Sequence, residues 1–119
     1  MNARIGDGTP FSFNANILNN GSIKNLPEDA CVEIPVIASS DGYERTYSGS
    51  LPLGIATMVA YSAGIENLVV EAWKEKSKQM VIEAVSLDPL CGAVLSLEEI
   101  RELCDELFAV NAGYLGDYQ

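Results

Sequence analysis

Asn16-Ile17-Leu18-Asn19-Asn20-Gly21-Ser22-Ile23-Lys24-Asn25-Leu26-Pro27-Glu28-Asp29-Ala30-Cys31-Val32-Glu33-Ile34-Pro35 is a dense turn signal that runs straight into a short apolar strand. Asn and Gly tolerate positive φ at low cost, so Asn19-Asn20-Gly21 ends whatever precedes it, and Leu26-Pro27-Glu28-Asp29 is a second turn. Upstream, Phe11 to Leu18 sets Phe11, Phe13, Ala15 and Ile17 against Ser12, Asn14, Asn16 and Leu18, an imperfect period of two that predicts a half-buried strand. Downstream, Cys31 to Ala38 predicts a second strand with Val32, Ile34 and Val36 on one side. Ser39-Ser40-Asp41-Gly42 invites reversal into Tyr43 to Tyr47, which makes a hairpin. Pro27 and Pro35 cannot donate to a ladder, so this segment is expected at a sheet edge or bent.

After Gly49-Ser50-Leu51-Pro52 the period changes. Ile55, Met58, Val59, Ile65, Leu68, Val69, Ala72, Trp73, Met80, Val81, Ala84 and Val85 recur at spacings of three and four, the mark of amphipathic helices. Gly64 or the Lys74 to Lys78 region is the expected joint, and Asp88-Pro89 a break, because proline disfavours helical geometry in the residue before it. Ser96 and Glu99 form an S-x-x-E capping box opening a last helix, whose apolar face is Leu97, Ile100, Leu103, Cys104, Leu107 and Phe108; Gly113 is its expected stop. Strands first and helices afterwards give an α+β class, and the length of 119 residues suits a single domain. No G-x-G-x-x-G lies between a strand and a helix, and there is no P-loop.

Composition narrows the function. Seventeen acidic against seven basic residues give a formal charge of −10, which argues against nucleic acid and anionic membrane as partners. No run is read as approaching membrane-span length and no signal core follows Met1, so a cytoplasmic protein is expected. Cys31, Cys91 and Cys104 are read as reduced, packed thiols. The chain has no histidine, which argues against a self-contained metal site or a nucleophilic triad, since both commonly recruit imidazole.

Candidate chemistry is sparse. Glu98, Glu99, Glu102, Asp105 and Glu106 fall beside an apolar helical stripe, as a solvated face does. Asn14, Asn16, Asn19, Asn20 and Asn25 surround two turns, where five amides either bind a polyhydroxylated ligand or cap the turns themselves. Glu33 faces away from Val32 and Ile34, to solvent or to an adjoining site.

The opening stretch resembles the segment N-x-x-N-x-G-x-I-x-N-L-P-x-D-x-x-V-E-x-P found late in the NAD- and manganese-dependent glycosidases of glycoside hydrolase family 4. Gly49-Ser50-Leu51-Pro52 is similar to that family's G-x-L-P, and Leu68-Val69-Val70-Glu71-Ala72 to its L-x-V-E-A. Ala84-Val85-Ser86-Leu87-Asp88-Pro89-Leu90, Leu95 to Ile100, and Asp105-Glu106-Leu107 resemble the close of the branch with α-galactosidases, α-glucosidases and α-glucuronidases. The order holds from about Phe13 to Leu115.

The resemblance implies a C-terminal α+β domain similar to that of lactate and malate dehydrogenases, belonging beside an NAD-binding Rossmann domain that lies upstream and is absent from this sequence. It implies NAD and Mn2+ as cofactors of the whole enzyme, which oxidises the sugar at C3, eliminates the aglycone and reverses the redox step. The family's dinucleotide loop, its metal-binding Cys and His, and its tyrosine base all lie upstream, so no catalytic, cofactor-binding or metal residue carries over to this chain. What does carry over is proximity to the sugar cleft for Asn19, Gly21, Ile23 and Asn25, together with a role in a homo-oligomeric interface. The expected function is therefore the inactive-alone C-terminal part of an α-glycosidase, as a piece of a longer enzyme or a truncated or split product. The competing expectation is a stand-alone dimerisation or binding module that keeps the fold. Both predict exposed apolar surface on the isolated chain.

Overall fold

A computed structural model describes residues 2–119. It is α+β, with a three-stranded antiparallel sheet followed by helices. A short helix α1 (Asn2–Ile5) precedes strand β1 (Phe11–Leu18), strand β2 (Cys31–Ser39) and strand β3 (Gly42–Arg45), and the sheet order is β1-β2-β3. The long helix α2 (Leu53–Glu75) is followed by α3 (Lys78–Leu87), α4 (Pro89–Val94), α5 (Leu97–Val110) and α6 (Ala112–Leu115). The chain forms two compact units, residues 1–63 and 64–119, with the boundary inside α2.

In the first unit the register pairs Phe13 with Val36, Ala15 with Ile34 and Ile17 with Val32, so the apolar alternation of both strands falls on one face. Val32, Ile34 and Val36 are buried there with Ile23, Leu26 and Ala30 from the β1–β2 connection. Each such aliphatic side chain contributes about 1.5–3 kcal/mol by leaving water. Helix α2 meets this face through Ala56, Ala60 and Ala63, a small-residue stripe at helical spacing that admits the helix close to the sheet. The hairpin turns at Gly42, whose φ of 139° no side-chain-bearing residue adopts readily.

Pro35 corrects the expectation of an edge strand, because β2 is the central strand. The backbone N–H and the hydroxyl of Thr46 both donate to the Pro35 carbonyl, at 3.2 and 2.6 Å. In an antiparallel strand the N and C=O of one residue point the same way, so the donor that proline lacks would have faced Thr46. The β2–β3 ladder ends one pair earlier, at Val36 and Arg45. A central proline is thus tolerated at the point where its neighbour strand stops.

The second unit buries Ala72, Ala84, Ile100 and Cys104. Helix α2 continues through Gly64 and stops at the second of the two expected joints, where Lys76 takes φ 53° and Ser77 caps α3 by accepting from the Met80 N–H at 3.3 Å. Asp88 ends α3 and starts α4: its N–H reaches the Val85 carbonyl, and its carboxylate accepts from the Leu90 and Cys91 amides at 2.9 Å each. The Ser96–Glu99 capping box forms as read. Gly113 is not the stop; α5 ends at Val110 with Asn111 as cap, and Gly113 lies within α6. Asn111 accomplishes this by donating its side-chain amide to the Leu107 carbonyl at 2.8 Å.

Two further expectations are corrected. Cys31 is exposed, because the alternation that buries Val32 turns its neighbour outward, while Cys91 is half-buried and Cys104 buried. Helix α2, 23 residues with a mean hydropathy of 1.4 in its most apolar window, is long and apolar enough by length and composition to cross a bilayer. Thr57, Ser62, Gly64 and Glu66 break the apolar run, but averaged along one helix they are outweighed by Ala, Val, Ile, Leu and Met. Only 11% of that window is buried.

Candidate functional site: the Asn19 loop

The connection from β1 to β2 is a knot built on one amide. Asn19 is fully buried. Its Nδ2 donates to the carbonyls of Ile23, Leu26 and Pro27 at 2.9, 3.1 and 3.0 Å, and its Oδ1 accepts the Ile23 N–H at 2.7 Å. Two amide hydrogens serve three carbonyls, so one is shared. The Asn19 N–H donates to the Ala30 carbonyl at 2.8 Å and that of Asn20 to the Glu28 carbonyl at 2.9 Å, which closes the base of the loop. Asn20 and Gly21, at φ 42° and 81°, supply the left-handed corner.

A second segment is stitched to this loop. Ser48 donates to the Ser22 carbonyl at 2.9 Å and Lys24 to the Gly49 carbonyl at 2.8 Å, forming a parallel bridge between Ile23 and Gly49. Asn25 exchanges two hydrogen bonds with the backbone of Leu51, both 2.9 Å. The loop and the Ser48 to Leu51 strip therefore form one surface, held by backbone and amide groups. Ser22 is buried at its side, and its hydroxyl has no hydrogen-bond partner among the described residues.

The four cleft candidates are thus brought into one loop, in different roles. The side chains of Asn19 and Ile23 point inward, the first spent on the loop's own carbonyls and the second part of the core. Gly21 is half-buried and Asn25 exposed, the latter with its amide turned to Leu51. Asn14 and Asn16 sit exposed on β1, outside the knot. Of the two readings of the amide cluster, turn-building accounts for Asn19, Asn20 and Asn25.

A cleft of about 650 Å³ in the first unit is lined by Arg4, Asp7, Phe11, Phe13, Ala38 and Tyr43 among others. The rings of Phe11 and Phe13 stack at 6.0 Å, and the Arg4 guanidinium lies 6.0 Å from the Tyr43 ring while donating to the Ser40 carbonyl. The Phe-x-Phe spacing was the available signal, but nothing in the sequence brings residues 2 to 9 beside it.

The ionisable groups do not assemble chemistry. The amide and hydroxyl of Thr9 hold the Asp7 carboxyl below its usual range, the Cys91 amide does the same for Asp88, and Ser96 for Glu99. Each of these carboxylates caps or closes a turn. Desolvation, with Asp88 beside one and Asp105 beside the other, pushes the thiols of Cys91 and Cys104 up, which keeps them protonated and unreactive. Among the described residues no three His, Cys, Asp or Glu side chains converge where a cation could sit. The sheet is antiparallel with no glycine fingerprint opening a helix, so the residues present fit neither Mn2+ nor a dinucleotide.

Residues 1–91 match the family described as the family 4 glycosyl hydrolase C-terminal domain. The chain is 34% identical over 110 residues to an α-galactosidase of Bacillus subtilis, covering 92% of this chain and 26% of that protein. It is 40% identical over 96 residues to the maltose-6'-phosphate glucosidase MalH of Clostridium acetobutylicum, covering 81% and 21%. Its fold superposes with a TM-score of 0.78 on a 6-phospho-α-glucosidase from gut microorganisms in complex with NAD and Mn2+, at 29% identity over 87% of this chain and 23% of that one. A 6-phospho-β-glucosidase of Thermotoga maritima with NAD and glucose-6-phosphate gives 0.79, at 27% identity over 90% and 25%. The chain thus spans about a quarter of the length of the relatives it matches. Profile, relatives and fold agree with the motif order read from Asn16 onward: the chain belongs to the family 4 glycosyl hydrolases, as a part of their C-terminal domain.

Proposed function

We propose that this chain works as the C-terminal portion of a cytoplasmic, NAD- and Mn2+-dependent glycosidase that hydrolyses α-glycosides by redox elimination, and that it is inactive alone. The observation that carries the reading is the superposition, at TM-score 0.78, on an enzyme bound to NAD and Mn2+. In this reading the catalytic groups belong to an upstream Rossmann-containing part, and this chain supplies a wall of the sugar cleft through the surface of the Asn19 loop, where Asn25 is exposed and Gly21 half-buried. The exposed apolar residues of α2, among them Leu53, Met58 and Trp73, then serve as packing surface for the rest of the enzyme. The same exposure supports the second reading, a stand-alone interaction module.

The test is hydrolysis of p-nitrophenyl α-glycosides with NAD, Mn2+ and a reductant, by this chain alone and mixed with the N-terminal part of a related enzyme. Activity only in the mixture is expected. Turnover by the chain alone refutes the proposal, and silence in both moves the function to the interaction module.

A further inference from the structure

We infer that the outer edge of β1 is a pairing surface for a second copy of this chain. The two edges of the sheet are built differently. β3 is four residues long, carries Glu44 and Arg45, and ends opposite Val36, one residue short of Pro35, so it is short and charged as protected edges are. β1 is eight residues long, without proline, inside a stretch from Gly8 to Ile23 that holds no charged residue in a chain of net charge −10. Such an edge is a template for another strand.

The alternation of the ladder says which groups are available. The bond from the Asn19 N–H to the Ala30 carbonyl makes odd-numbered residues of β1 face β2, so Ser12, Asn14, Asn16 and Leu18 point their backbone outward. The Leu18 carbonyl is taken by the Arg45 guanidinium at 3.5 Å. Ser12, Asn14 and Asn16 are left, and their outward N–H and C=O groups make no backbone bond among the described residues.

A two-fold axis through Asn14 uses these groups and no others. It sets Asn14 opposite Asn14 of the second copy and Ser12 opposite Asn16, each pair exchanging reciprocal hydrogen bonds, and the two sheets become one. On the helix-facing side the same register sets Phe13 against Ala15 and Phe11 against Ile17, so apolar meets apolar and polar meets polar. The stacked rings of Phe11 and Phe13, 61% and 38% exposed, gain the cover they lack. An isologous contact requires this self-complementarity, whereas a strand from a different segment would not. The inference is independent of the glycosidase reading, since it concerns association of this chain alone.

The test is sedimentation velocity of the 119-residue chain across concentration, with two variants. Asn14→Pro removes an outward donor and leaves the β1–β2 ladder intact; Asn14→Lys leaves the backbone alone and sets two like charges on the axis. The parent should pass from monomer to dimer, with interchain contacts between the Hα atoms of Phe13 and Ala15 in a mixed-isotope nuclear Overhauser experiment. Each variant should raise the dissociation constant about tenfold or more while keeping the parent circular dichroism. Asn14→Lys also lowers the net negative charge, so association that is unspecific and charge-limited would strengthen instead, which overturns the inference. A parent that stays monomeric to about 1 mM also overturns it and gives the edge to another segment. Should Asn14→Pro unfold, Asn14→Lys decides.

Discussion

Replacing Asn19 with alanine should be among the most damaging single changes in the first unit, and its cost can be worked from the loop. The substitution removes three donated bonds and one accepted bond, at 2.7 to 3.1 Å, from a side chain with no exposed surface. The Ile23 N–H is left buried without a partner, which costs about 1–3 kcal/mol, and each of the three orphaned carbonyls adds about 0.5–1.5 kcal/mol, for a total of about 5 kcal/mol. Against a domain stability of about 5–15 kcal/mol that is a large share. The midpoint of thermal unfolding should fall by on the order of 15 °C. Asn25→Ala is the control, since it removes two bonds at an exposed position where water can replace them, and should cost about 1 kcal/mol. Urea unfolding with linear extrapolation measures both, and hydrogen exchange at the Ile23 amide reports the loop directly. Asn19→Asp should be at least as harmful, because a carboxylate would face three carbonyl oxygens. The reasoning fails if Asn19→Ala costs no more than Asn25→Ala, or if the Ile23 amide stays protected.

Ser96→Ala breaks the capping box of α5 and should cost about 1 kcal/mol, read as an earlier loss of helical dichroism in urea. In a thiol titration of the folded chain with a disulfide reagent, Cys31 should react first and Cys104 only on unfolding. Asp7, Asp88 and Glu99 bind protons less tightly when folded than their ordinary values of 3.8, 3.8 and 4.5. Their contribution to stability is therefore full above those values and is lost as pH falls through the lower folded ones. Acid titration should show α4 and the start of α5 loosening in that window, and Asp88→Asn with Glu99→Gln should flatten it.

The strands, the hairpin and the α5 cap were legible because each is written in local chemistry: alternation in Phe11 to Leu18 and Cys31 to Ala38, Asp41-Gly42 at the turn, Ser96 and Glu99 three apart. The misreadings share a different cause. Gly64 and Gly113 carry the residue type of a helix stop, yet both sit inside helices, because Lys76 and Asn111 supply the stops instead. Pro35 was read from its own missing donor, whereas its place depends on where β3 ends, a property of another strand. Helix α4 went unread because Asp88, whose next residue signals a break, also caps a new turn. At the candidate site, the sequence spacing of Asn19, Gly21, Ile23 and Asn25 already put them in one turn system. It could not tell which amides point inward, since that depends on the carbonyls of residues 23 to 27 and on Leu51, brought near only by the fold.

The end of the second unit has a kinetic meaning. The Gln119 N–H donates to the Lys76 carbonyl at 2.8 Å and the Lys78 N–H to the Gln119 carbonyl at 2.9 Å, while the Lys76 ammonium lies 5.1 Å from the Tyr118 ring. These contacts close a ring of about forty residues at Lys76, which takes positive φ between α2 and α3. Helices α3 to α5 can form from near neighbours, but this closure waits until they have packed, so the sharp corner after α2 is secured late in folding. Trimming Tyr118 and Gln119 should therefore leave the folding rate almost unchanged and speed unfolding, because the strap is absent from the transition state and present in the native one.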